Sequence, residues 1–130
     1  SPFHYPGDYG LIPQTLSEDG DPLDALVLVT NPTFPGILIE SRPIGLLQMK
    51  DDGEPDDKII CVSTNDPRYL HKTDIENIED HHRSEIAHFF QVYKELEGKK
   101  VEIIGWKSAK DAKSVIIDSI KRYKETLKKY

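Results

Sequence analysis

Apolar positions in the first half of the chain fall in short runs, and in the second half they switch to a helical period. "ALVLVT" (25–30) has the length and composition of a buried strand. "GILIESRPIGLLQMK" (36–50) predicts a longer strand, interrupted near Pro43, whose ring leaves no N–H for the ladder. "DKIICVS" (57–63) predicts another, with "NPTFPG" (31–36) as a connecting turn and "DDGEPDD" (51–57) as a polar hairpin-like loop. In "SEIAHFFQVYKELEG" (84–98), Ile86, Phe89, Phe90, Tyr93 and Leu96 recur at helical spacing, and Gly98 is a natural stop. "KVEIIGW" (100–106) returns as a strand. From Ser108 onward, Ala109, Ala112, Ile116, Ile120, Tyr123 and Leu127 draw one apolar stripe, with lysines mainly on the other face. Ser108 and Asp111 resemble a capping box with Asp in place of Glu. Strands followed by helices predict an α+β domain, a small barrel flanked by helices. Four or five strands would leave sheet edges exposed unless a further strand covers them.

No repeat, low-complexity stretch or linker divides the chain, and 130 residues suit one modest core. With 37% hydrophobic and 31% charged residues, the composition is that of a globular domain. A net charge of −6 argues against nucleic acid and anionic membrane as partners. It leaves room for an anionic substrate, because clustered acids can hold cations that recruit an anion. No apolar run approaches the roughly 20 residues of a membrane span, and "SPFHYPGDYG" has no leader pattern. That opening, without methionine, reads as the middle of a protein. The single cysteine, Cys61, sits in an apolar run; it is expected to be a small buried hydrophobe in a reducing compartment.

"DGDPLD" gathers Asp19, Asp21 and Asp24 around a glycine and a proline. Residues two apart in an extended segment share a side, so Asp19 and Asp21 can face one point, with the chain curling to return Asp24 toward it. Carboxylates this close repel one another unless protons or cations intervene. All-oxygen ligands suit magnesium or manganese. Alone, such a hexapeptide is more often an acidic surface turn. The second cluster, "KDDGEPDDK", changes the balance: Asp51 and Asp56 flank a glycine-containing turn, and Lys58 follows two residues on. If that rim faces the first, four carboxylates can hold two or more divalent ions while Lys58 meets an anionic oxygen. Asp52, Glu54 and Asp57 are assigned to solvent. Tyr9 is placed where its hydroxyl can reach a ligand, and Tyr93-Lys94 at the margin of the core; singly, each reads as an ordinary core tyrosine or solvated lysine. Of the histidines, His81 and His82 suit a surface loop, and His88 a partly buried structural position.

Together these stretches resemble the soluble family I inorganic pyrophosphatases. "DGDPLDAL" is similar to the family signature D-x-D-P-x-D, and "FHYPGDYGLIPQTL", "IGLLQMKDDGEPDDKIICV" and "IAHFFQVYKELEGKKVEIIGW" resemble its other segments, in order over nearly the whole chain. The resemblance implies an OB-like five-stranded β-barrel with flanking helices. It implies that Asp19, Asp24, Asp51 and Asp56 ligate magnesium (or manganese or another divalent ion). Asp21 would be the general base on the attacking water, and Tyr9, Lys58, Tyr93 and Lys94 would bind phosphate oxygens. It further implies a cytoplasmic homo-oligomer, a dimer or hexamer, that hydrolyses pyrophosphate to two phosphates. No position matches the family's earlier strands, with their metal-binding glutamate and basic residues. The expectation is therefore a single pyrophosphatase domain over 1–130, truncated at its N-terminus, with an incomplete barrel. Asp8 stands where many relatives carry asparagine, a tolerated variation. Two alternatives stand beside this: a weak or inactive metal-binding and oligomerising fragment of the same fold, and a phosphohydrolase acting on nucleotides. The chain has no glycine-rich phosphate loop to favour the latter.

Overall fold

The computed structural model describes residues 6–129, so Phe3, His4 and Tyr5 of the opening stretch lie outside the described residues. The elements run β1 (Asp8–Leu11), β2 (Asp24–Leu28), β3 (Ser41–Asp51), β4 (Glu54–Pro55), β5 (Lys58–Ser63), α1 (Asp80–Leu96), β6 (Val101–Ser108) and α2 (Ala109–Leu127). Single 3₁₀ turns at 67–69 and 75–77 lead into α1.

The strands form one mixed, open sheet. β1 pairs antiparallel with β2, β2 parallel with β5, and β5 antiparallel with β3. β3 also carries β4 and, along most of its length, β6. The α+β class stands. Of six described strands β4 has only two residues, leaving five of substantial length, and β1 is an edge paired only with β2 among the described residues.

β5 is buried along its whole length, which explains its continuous apolar run. Its side chains alternate between two cores. Ile60 and Val62 join Leu26, Leu28 and Leu47 under Ile86, Phe89 and Phe90 of α1. Ile59 and Cys61 join Leu23, Ala25, Leu46 and Ala112 of α2 on the other side. Burial pushes the Cys61 thiol up to about 12, so it serves as the inert apolar filler expected. By the same alternation the stem of Lys58 lies in line with Ile60 and Val62, pointing under α1.

The β3–β4 connection is a two-residue loop in which Asp52 and Gly53 both take positive φ, 51° and 85°, the signature of a type I′ hairpin turn. The strand expected over 36–50 begins only at Ser41. Its predicted interruption is real: the register shifts between Pro43 and Gly45. A Cβ on Gly45 would meet that of Ile75 at 2.7 Å, so only glycine lets the 75–77 turn lie this close to the sheet.

α1 starts at Asp80, earlier than the apolar spacing implied, and so takes in His81 and His82, which belong to its first turn and not to a loop. His88 is exposed, not partly buried, because it lies off the Ile86–Phe89–Phe90 stripe. Both stripes outrun the sheet. Leu96 is 75% exposed and Leu127 57% exposed, whereas Ala109 and Ala112 are buried. The Ser108 cap is present: its hydroxyl accepts from the Asp111 N–H at 3.3 Å.

Candidate active site

Strand register builds the site before any side chain is placed. Ala25 stands beside Ile59 in the parallel β2–β5 pair, so one residue earlier Asp24 comes beside Lys58. Tyr9 stands opposite Leu26, whose side chain faces α1, so its ring enters the same space. There it meets Phe90 edge-on at 5.5 Å and Tyr93 at 6.4 Å.

Lys58 is fully buried, yet all three of its ammonium hydrogens find oxygen. Nζ donates to Asp24 Oδ2 at 2.8 Å, to Asp56 Oδ1 at 3.0 Å and to the Tyr9 hydroxyl at 3.0 Å. Burial pulls its pKa down, but the bond to Asp24, then Tyr9 and the charge of Asp56, outweigh it, and the net shift is upward. Burial raises the Tyr9 hydroxyl, opposed by its bond from Lys58.

A second ammonium spans the next pair of acids. Lys94, in the last turn of α1, lies 3.1 Å from Asp51 Oδ2 and 3.4 Å from Asp56 Oδ2. For Asp51, burial pulls upward, but the bond and charge of Lys94, with help from Lys99, hold its carboxyl below the usual range. Lys94 shifts upward: burial lowers it, and the bond to Asp51 and charge of Asp56 overcome that.

The "DGDPLD" loop is closed by its neighbours. Thr15, almost completely buried, donates to the Ile12 carbonyl at 2.6 Å and accepts from the Leu23 N–H at 3.1 Å. The Ser17 N–H reaches the Asp21 carbonyl at 2.7 Å, and Asp19 Oδ1 accepts from the Asp21 N–H at 2.9 Å. The Ser17 hydroxyl bonds the Asp19 carboxylate, and this bond, then the Asp21 N–H, lowers the Asp19 pKa. Gly20, at φ 90°, makes the tight reversal. Arg122 of α2 fixes the loop from outside through the Leu16 carbonyl at 2.6 Å. Asp21 is left exposed, and its carboxylate makes no hydrogen bond or ion pair among the described residues.

Asp19, Asp21, Asp24, Asp51 and Asp56 line one cavity of about 570 Å³, with Lys94 on its wall. Lys58, Tyr9 and Tyr93 stand behind that lining. Two residues assigned to solvent do structural work. Asp57 accepts from the Met49 N–H at 3.2 Å, and burial raises its pKa. Asp52 accepts from the Lys100 N–H at 2.8 Å, tying the hairpin to the start of β6. Sequence reasoning missed Ser17, Thr15 and Lys99. An S-x-D-x-D spacing hints at the first, but only the β3–β6 pairing brings residue 99 beside Asp51.

With Asp51 held low, its ion pair stabilises the folded chain above the unfolded carboxylate pKa of about 3.9 and loses that contribution as pH falls through the lower folded value. Thermal melts should therefore drop steeply below about pH 4, and Asp51→Asn should flatten part of that limb. Identical acid limbs in the two proteins would refute the assignment.

The donor set is all oxygen, without cysteine or histidine, interleaved with ammonium groups, a chemistry suited to hard cations and to phosphoryl anions. A family model described as inorganic pyrophosphatase matches residues 1–124, and the chain belongs to that family. It is 48% identical over 124 residues to the inorganic pyrophosphatase of Synechocystis sp., covering 95% of this chain and 73% of the relative. To that of Haloferax volcanii it is 51% identical over 123 residues, covering 94% and 70%. The crystal structure of inorganic pyrophosphatase from Thermus thermophilus superposes with a TM-score of 0.88 at 48% identity, covering 92% of this chain and 71% of that one.

Proposed function

We propose that this chain hydrolyses inorganic pyrophosphate to two phosphates with magnesium as cofactor. The observation that carries the reading is the convergence of Asp24, Asp51 and Asp56, from three separate strands and loops, on two shared ammonium groups beside Asp19 and Asp21.

The residues fit a hard divalent cation. Asp56 Oδ2 is buried and accepts no hydrogen bond; its contact is the more distant Lys94 ammonium at 3.4 Å. Among the described residues no three acids are clustered around one point, and the acid pairs each share a lysine instead. Asp19, Asp24, Asp51 and Asp56 would hold the ions. Bound there, divalent cations offset phosphoryl charge and make water easier to ionise. The work of the protein is then positional. Asp21, held by Ser17 and Asp19 through its backbone, keeps a carboxylate ready to accept the proton of the attacking water. Lys94, on the cavity wall, would place positive charge toward charge developing on the leaving phosphate, and Lys58, Tyr9 and Tyr93, which stand behind the acids, would join it only as cations take over Asp24 and Asp56. No side chain is needed as a covalent nucleophile.

Phosphate release from pyrophosphate, measured with magnesium and again with the metal chelated, tests this. Release should require the ion; no release with magnesium, or equal release without it, would reject the reading. A weak or inactive metal-binding fragment is not favoured, because such a role gives an unbonded Asp21 carboxylate at the cavity no purpose. Within the same proposal fall a single domain over 1–130, assembly as a dimer or hexamer, and a cytoplasmic location in keeping with the reduced Cys61. No described helix is long and apolar enough to cross a membrane.

A further inference from the structure

We infer that Lys99 is a third anion-binding ammonium of this site, working beside Lys94 to hold the phosphate that leaves. The inference rests on the pyrophosphatase reading and extends it to a residue the sequence did not single out.

Lys99 lines the same cavity as the acids, and its Nζ lies 3.5 Å from Asp51 Oδ2, the oxygen that Lys94 also contacts at 3.1 Å. Two ammonium groups therefore compete for one carboxylate oxygen. A phosphoryl anion entering the cavity can take up the ammonium that Asp51 holds less closely, that of Lys99. The base of Lys99 is fixed although its side chain is 43% exposed. Its own N–H donates to the Lys94 carbonyl at 3.1 Å. The next residue is clamped twice by Asp52: the Lys100 N–H reaches Asp52 Oδ1 at 2.8 Å, and the Asp52 N–H reaches the Lys100 carbonyl at 2.8 Å. The other partner of Lys99, Glu97, is looser at 3.9 Å. An exposed stem on a fixed base suits a charge that follows a product outward, whereas the buried Lys58 cannot follow.

Lys99→Met tests this, with Lys99→Arg as the charge-keeping variant and Lys110→Met, on the exposed part of α2, as the control for loss of any lysine. Two readouts are needed: steady-state kinetics on pyrophosphate, and calorimetric titration of inorganic phosphate into the magnesium-loaded chain. The methionine variant should raise KM and the phosphate Kd about tenfold, as loss of one charge-assisted contact does. It should change kcat less than about twofold and lower the salt dependence of phosphate binding. The arginine variant should recover most of the loss. Unchanged phosphate affinity, or an equal loss in Lys110→Met, would overturn the inference. If the unaltered chain releases no phosphate from pyrophosphate, the functional reading fails, and the titration alone then decides for or against Lys99.

Discussion

Asp21→Asn is expected to cut phosphate release about a hundred- to ten-thousandfold, the range that loss of a positioned base produces, while leaving the fold as it was. The reason lies in how the loop is held. Asp21 contributes its N–H and its carbonyl to the loop closure, through Asp19 Oδ1 at 2.9 Å and the Ser17 N–H at 2.7 Å, and asparagine keeps both. Its carboxylate is exposed and makes no hydrogen bond or ion pair among the described residues, so the melting temperature should move by no more than about 2 °C. Magnesium affinity should fall only slightly, since Asp19, Asp24, Asp51 and Asp56 are untouched. Turnover within twofold of the parent would remove Asp21 from its role. A large loss of magnesium affinity would make it a ligand instead.

Lys58→Met has a different profile, because it strikes fold and chemistry together. Methionine fills the stem's space between Tyr9 and Phe90, whose ring centroids lie 5.5 and 5.8 Å from the ammonium. It leaves Asp24 and Asp56 facing each other without the charge that joins them. Breaking a buried pair from one side costs about 3–5 kcal/mol. Asp24 is 39% exposed and can turn to water, which brings the expectation to about 2–3 kcal/mol, or on the order of 10 °C in melting temperature. Divalent ions should restore part of that stability by taking over between the two carboxylates. Turnover should fall at least about a hundredfold even where the variant is folded. A sequence-level view makes Lys58 only a substrate contact. Its complete burial adds the structural role, and a variant with parental stability in the absence of metal would contradict that addition.

Legibility varied along the chain for identifiable reasons. β5 was plain because a strand buried on both faces must be continuously apolar, whereas 51–57, read as one polar hairpin-like loop, proves to be a tight turn at Asp52-Gly53 followed by the short β4. The acidic residues that share the cavity were readable only in combination, because the first cluster alone reads as an acidic surface turn and it was the second, with Lys58, that changed the balance. The ends of the helical stripes were not: periodicity records that Leu96 and Leu127 lie on the apolar face, but not how far the sheet extends beneath them. Residues 36–40 have strand composition without a paired strand, and pairing is a nonlocal decision. Asp52 and Asp57 looked like loop charges because their partners, the N–H groups of Lys100 and Met49, are backbone atoms and leave no mark in composition.

The chain alone determined the α+β class, the strand and helix cores, and the set of acids, lysines and tyrosines from which a site can be made; these follow from local periodicity and side-chain chemistry. Tertiary structure decided which of them meet. The parallel pairing of β2 with β5 sets Asp24 beside Lys58, and the pairing of β3 with β6 sets Lys99 beside Asp51. Register between distant strands is settled by packing on both faces of the sheet, and no stretch of sequence read on its own contains it.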